Sequence, residues 1–487
     1  VRSLFGPKSV YTVYAWYVRP VEVTWGCFRE ICSVDPYILT KSEDMCNVND
    51  DIDLDSFLKN SKENKIVLNK CRKCDADSVI LLRKSDPYCR SCFLQTVTHK
   101  FRATLGKSKL LRYEENVLLC FSGGLKSSVL LHLVFSGLNE VHNKRLRINP
   151  VILYIDEGGL FNYNVSKRLD ACKDVFDISV HYKFPCFIVP FEDVYSDKII
   201  PFNDIESLTK SYMCCKSWYN LSEAIGEVKS LTSKDRLVDI MKNHLFQKAA
   251  QQLQCTKVFV GMCATSTAIS LLSSISLGQG LQSVWHTRFC DDRWDVPILR
   301  PIRELGSKEI AFYCHLHHLQ VLQARSITTM SDGSIQHQVE KFVMELQGNF
   351  TSTVSSLCKI GDKITANAYG DLCGMCGSVL DLENISSGLD SIKCVEKVPD
   401  ISKAHTEDAC RVPTEGPASG DCCGEAAGYC KARKDNSQPS SENSVCYSCQ
   451  IILKEAEYKS LPGPLLSCIK SQSIRNNMKK QIEDYLI

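Results

Sequence analysis

Two closely spaced cysteine pairs are the clearest chemistry in this chain. Cys71 and Cys74 form one C-x2-C pair and Cys89 and Cys92 a second, with fourteen residues between them. Each pair makes a knuckle whose two thiolates face one way, and two knuckles joined by a short hairpin close a tetrahedral zinc site. Four protein ligands leave no open position, so the metal expected here is structural. A second set, Cys373 and Cys376 with Cys446 and Cys449, has the same pair spacing across a long insertion. Loop-closure cost grows slowly with length, so these four are expected to hold a second zinc. Cys394, Cys410, Cys422, Cys423 and Cys430 in the insertion are competing ligands.

A third group points to phosphate. Ser122, Gly123, Gly124, Lys126 and Ser127 lie in "CFSGGLKSSVLL", between two apolar runs. Small residues let a backbone approach an anion closely, and a helix starting near Ser127 directs free N–H groups at it. Basic residues form a fourth group: Lys100, Arg102, Lys107, Lys109 and Arg112 occur with no acid among them, either a nucleic-acid phosphate-backbone contact or, equally, a solvated helix face.

These residues need elements to position them. "NVLLC" reads as a buried parallel strand before the glycine turn, and "VILYID", ending at Asp156, as another. "CFIVPF", "KVFVGM" and "VPILRP" read as further strands, with helices over 236–254 and from about Ser307. The alternation implies an α/β fold: a parallel sheet with helices on both faces, and ligands at the carboxyl ends of the strands. Asp156 and Gly261 then join the loop residues as candidate nucleotide contacts.

The order of motifs is similar to that of a known family. "FSGGLKSS" resembles the SGGxDS loop of the PP-loop ATP pyrophosphatases, an adenine nucleotide alpha-hydrolase-like fold. "YIDEG" and "RPIRELGSKEI" resemble motifs of its tRNA-thiolating branch. With "MCNV", "CRKC", "CRSCF", "HKFRATLGK", "GLQSVWHT" and the late cysteine pairs, the chain resembles a degenerate member, the cytosolic thiouridylase subunit 2 family, from about Met45 to the end. That resemblance implies wobble-uridine 2-thiolation of cytoplasmic tRNA, a heterodimer with a catalytic subunit 1, and sulfur from a thiocarboxylated ubiquitin-like carrier. It also implies an ATP-dependent adenylation step.

Two departures bear on that chemistry. Catalytic relatives carry Asp at the position of Lys126, and resemble GHNADD where this chain reads Gly261-Met262-Cys263-Ala264-Thr265-Ser266. A lysine cannot ligate magnesium but can grip phosphate as a point charge. The expectation is therefore a non-catalytic or co-catalytic subunit, with ATP occupancy left open. The alternative is a self-sufficient tRNA-adenylating enzyme that uses Lys126. A zinc-ribbon transcription factor would leave the α/β core unexplained. Thr265 and Ser266 are expected as helix N-caps. Cys214 and Cys215, near the family's sulfur-handling position, are adjacent and lack C-x-x-C spacing.

Composition sets the remaining bounds. A net charge of +2 confines any nucleic-acid contact to local patches, and no apolar run reaches membrane-spanning length. The 27 cysteines, many in C-x-x-C pairs, suit metal in a reducing, cytoplasmic setting. Residues 1–44 are read as a non-native or disordered extension with Met45 as the start, and 45–68 as a polar tail. Residues 69–95 are read as a zinc ribbon, 96–112 as a basic linker and 113–330 as the α/β domain. Residues 331–487 are read as a helical zinc region with a disordered insertion over about 382–443.

Overall fold

The structure is a computed structural model. It describes residues 70–82, 86–141, 145–214, 221, 225–280, 282–322, 333–364, 370–380, 444–456 and 461–482. The chain ends, the 382–443 insertion with its five cysteines, and Cys215 lie outside the described residues, as does the side chain of Cys214.

Strands β1 (Ile80–Leu81) and β2 (Pro87–Tyr88) pair antiparallel between the first two cysteine knuckles. Helix α1 (Arg90–Ser108) follows directly, with Cys89 as its N-cap. Most of 96–112, read above as a basic linker, therefore continues this helix. Phe93, Val97, Phe101 and Leu105 are buried four residues apart, one apolar stripe beneath the basic residues.

The central sheet begins with β3 (Glu115–Cys120). It continues through α2 (Leu125–Leu138), β4 (Ile148–Asp156), α3 (Val165–Tyr182), β5 (Cys186–Pro190), α4 (Ile205–Cys214) and α5 (Leu231–Gln252). Next come β6 (Lys257–Phe259), α6 (Ala264–Ser276), α7 (Ser283–Thr287), β7 (Cys290–Asp291), β8 (Ile298–Leu299) and α8 (Ser307–Leu316). The strand order is β5-β4-β3-β6-β8-β7, parallel throughout except for the β7 edge. Chain progression reverses between β3 and β6, which makes that crevice the topological switch point.

β3 packs both ways: Leu118 belongs to the core on one face, Val117 and Leu119 to the core on the other. The face with Leu118 is covered by α5, α11 (Tyr447–Glu455) and α12 (Gly463–Ile482). The opposite face is covered by α1, α2 and α8, with Ile80 of the first knuckle hairpin in the same cluster. Helices α9 (Ile335–Asn349) and α10 (Thr353–Lys363) pack on α6 through Val343, Val354 and Ala268.

Candidate functional site

The glycine loop leaves the carboxyl end of β3 at the switch point. Gly123 has φ +80°, and a Cβ there would stand 2.9 Å from that of Leu322, whose N–H donates to the Gly123 carbonyl at 2.8 Å. On the other side Gly261, just beyond β6, leaves only 3.2 Å to the Lys126 and Ser127 backbone. Glycine is required at both because neighbouring chain occupies the side-chain space. Helix α2 has Gly124 as N-cap and no side-chain cap, so side chains leave its first-turn N–H groups free for an anion. Ser127 Oγ donates to the Gly124 carbonyl at 2.8 Å and lies 3.3 Å from Ser122 Oγ. Six candidate residues, Ser122, Gly123, Gly124, Lys126, Ser127 and Gly261, thus meet in one place.

The two sequence departures also meet. Lys126 Nζ donates to Ser266 Oγ at 2.7 Å, bridging the loop to α6. Cys263, not Thr265 or Ser266, caps α6: its Sγ accepts from the Ser266 N–H at 3.4 Å. Thr265 Oγ1 instead accepts from the Ser307 N–H at 3.2 Å. Burial pushes the Cys263 thiol up, but the Lys126 charge and the bonds to Ser266 and Ser307 bring it below its usual value. Sequence reading overlooked this thiol: Lys126 lies 137 positions away, so only the fold brings the two together.

Asp156 is engaged by the protein itself. Its carboxylate is buried at the end of β4 and takes Arg168 Nε at 2.5 Å, the Gly158 N–H at 2.9 Å and the Tyr212 hydroxyl. Arg168 turns its other two nitrogens to Glu192 at 2.7 and 2.9 Å. Every strong donor around Asp156 therefore belongs to the protein, which makes it a structural lock joining β4, α3 and α4.

The basic residues divide in the same way. Lys100 pairs with Glu309 at 2.6 Å and Arg102 with Glu140, whereas Lys107, Lys109 and Arg112 are exposed. The His-rich run places His317 against His132 with ring centroids 4.4 Å apart, while His315 and His318 stand 6.1 Å apart. His132, His181, His317 and His318 line a cavity of about 250 Å³ with Phe121 and Ser128.

Both cysteine quartets assemble. The sulfurs of Cys71, Cys74, Cys89 and Cys92 all lie within 4.8 Å of one another, as do those of Cys373, Cys376, Cys446 and Cys449. Sγ separations of 3.6 Å for Cys74–Cys89 and Cys74–Cys92, and 3.7 Å for Cys376–Cys446, match a tetrahedron around one ion. With Zn–S near 2.3 Å the expected edge is about 3.8 Å. Thiolates on four separate irons of a cluster would stand farther apart. Without a cation such thiols must share charge unequally: hydrogen bonds from Ser91 and the Cys92 N–H bring Cys89 to about 6, while its neighbours push Cys92 up to about 12. The second quartet is buried; burial works against the charged form of Arg236, but the neighbouring Cys376, Cys449 and Cys446 outweigh it and push its pKa up. The two quartets lie toward opposite faces of the sheet, Ile80 beside the first and Cys373 to Cys449 within the core of the other.

A doubly wound α/β domain with a PP-loop-type turn at its switch point, covered by two tetracysteine modules, is the class these features define. Residues 334–451 match the family described as cytoplasmic tRNA 2-thiolation protein 2. The proteins of that name from Danio rerio and Xenopus tropicalis are each 30% identical, over 86% and 88% of this chain and 94% and 96% of their own. The Homo sapiens protein is 27% identical over 86% of this chain and 93% of its own. The chain belongs to the cytoplasmic tRNA 2-thiolation protein 2 family. Among solved structures, the U34-tRNA thiolase NcsA from Methanococcus maripaludis with its 4Fe-4S cluster aligns with a TM-score of 0.44 and 18% identity, over 61% of this chain and 88% of that one.

No helix among the described residues is long and apolar enough to cross a membrane.

Proposed function

We propose that the chain acts in the cytoplasm as the non-catalytic subunit of tRNA wobble-uridine 2-thiolation, paired with a catalytic subunit 1. That subunit receives sulfur from a thiocarboxylated ubiquitin-like carrier. The observation that carries this reading is the Lys126–Ser266 hydrogen bond. Adenylation of a uridine oxygen needs a divalent cation against the transferring phosphate, and carboxylates to hold it. At this loop an ammonium occupies one candidate position and its hydroxyl partner another, and Asp156 is already engaged by Arg168. An ammonium repels a divalent cation while attracting phosphate oxygens. The loop is thus suited to gripping an oxyanion without turning it over. Each cysteine quartet holds a structural zinc, tying distant chain segments together.

tRNA-dependent AMP formation by purified chain, alone and with subunit 1, tests this. Background activity alone and turnover only in the pair are expected, with Lys126→Ala changing the rate of the pair less than about twofold. Robust turnover by the chain alone, abolished by Lys126→Ala, would establish the self-sufficient enzyme instead.

A further inference from the structure

The end of the sheet remote from the glycine loop carries a charge pattern that the loop does not explain. Lys109 is the left-handed C-cap of α1, with φ 52°, and the six residues from it to β3 carry Leu110, Arg112 and Tyr113 on the surface. The Glu114 N–H donates to the Arg147 carbonyl at 3.0 Å, which pins this turn against the segment entering β4. Arg147 then stands over the Tyr113 ring, 5.2 Å from its centroid. Lys107, Lys109, Arg112, Arg145 and Arg147 are all exposed, and none has an ion-pair partner among the described residues. Glu114 is the one exposed acid in the turn; Glu115 points inward, accepting from the Arg112 N–H at 2.7 Å and from Thr256 Oγ1.

We infer that this surface binds the sugar-phosphate backbone of tRNA away from the nucleotide being modified. The inference deepens the tRNA-thiolation reading and rests on it. Five cations on two converging segments, with one acid among them, form a local polyanion site in a protein whose net charge is only +2. β3 separates the surface from the glycine loop by its full six-residue length, about 20 Å at ~3.3 Å per residue. A mononucleotide at the loop cannot reach this surface, so a ligand that engages both is a macromolecule. Tyr113 is 64% exposed with a guanidinium on its face, an arrangement that suits nucleic acid, where Arg and aromatic planes stack on bases and sugars. Phosphate contacts of this kind orient a substrate without reading its sequence. The inference also reassigns the basic stretch: Lys100 and Arg102 hold α1 in place, while Arg145 and Arg147 belong to the surface.

The test is binding of an unmodified tRNA transcript to the full chain across a salt series, with Lys109→Glu/Arg112→Glu/Arg147→Glu as the variant. Lys363→Glu, an exposed lysine on α10, is the control for charge. The expected result is at least tenfold weaker binding for the triple variant and a salt slope shallower by about two to three, at roughly 0.7–0.9 per lost phosphate contact. Ultraviolet crosslinking of wild-type protein should place tRNA on the peptide containing Tyr113. Equal weakening by Lys363→Glu, unchanged affinity of a triple variant that melts like wild type, or absence of tRNA binding by wild type would overturn it. So would capture by phosphatidylserine vesicles in place of tRNA. If the triple variant misfolds, Lys109→Ala/Arg147→Ala with the crosslink decides the matter. Thiolation by the subunit pair is measured separately, so the surface can fail while the pathway reading stands.

Discussion

The ammonium of Lys126 sits 2.7 Å from the hydroxyl of Ser266, so two residues 140 positions apart join a glycine loop to the start of the neighbouring helix. Two carboxylates at these positions would repel one another unless a cation lay between them. Here the hydrogen bond needs no metal. The loop is therefore closed on α6 by protein groups alone.

Replacing Ser266 by Asp should convert this contact into an exposed ion pair. The expected stability gain is below ~1 kcal/mol. Binding of inorganic phosphate or pyrophosphate to the loop should weaken, because the Lys126 charge is then answered internally. Isothermal titration of wild type and Ser266→Asp checks this, and tighter binding by the variant would contradict it.

Gly123→Ala should destabilise the protein by about 1–3 kcal/mol, from a side chain at positive φ and the 2.9 Å approach of Leu322. Denaturant unfolding measures it. Gly106→Ala, in an open helical position, serves as the contrast and should be neutral or slightly stabilising.

Arg168→Met should be far more damaging, about 3–5 kcal/mol, because it strands the buried carboxylates of Asp156 and Glu192. Tyr212→Phe removes one hydroxyl from the same lock and should cost about 1–2 kcal/mol. A reversed ranking in chemical denaturation would show that the lock is not governed by charge.

Metal analysis should return two zinc ions per chain. Cys74→Ser should lose one and Cys376→Ser the other. The second variant should be the less stable, since all four sulfurs of its quartet are buried within the sheet's core cluster while Cys74 is exposed. Iron and labile sulfide in place of zinc would refute the single-ion geometry.

The His132 imidazole, half-buried and facing His317 and His181, is lowered from 6.5 to about 4. Its folded value lies below its unfolded one, so between those values the unfolded chain binds more protons and stability rises with pH. Above about pH 6.5 no penalty remains, and the loss of stability grows on acidification toward pH 4. With solvent screening it amounts to roughly 1 kcal/mol. Subtracting the pH–stability curve of His132→Gln from that of wild type should isolate a difference confined to this window.

The strands and the loop were legible because buried parallel strands are short apolar runs, and "NVLLC" and "VILYID" are such runs. Both cysteine quartets were legible because pair spacing encodes knuckle geometry. Helix α1 was only half legible because its four buried residues are scattered singly among basic ones, and only the four-residue spacing marks them. Asp156 and Arg168 are twelve residues apart, and Glu192 a further twenty-four. Neither distance carries a periodic signal, so their union is a property of the packed sheet. Lys100 and Lys107 likewise look equivalent in sequence; Glu309, from a distant helix, separates them.

Each flank of the sheet is fastened by four sulfurs, and neither fastening draws its ligands from the strands themselves. With a zinc in each quartet, as proposed, maturation of the protein would be tied to trace-element supply at two independent points. A chelator strong enough to strip both should uncover the sheet on each side at once, turning a nutritional shortage into a folding defect rather than a catalytic one.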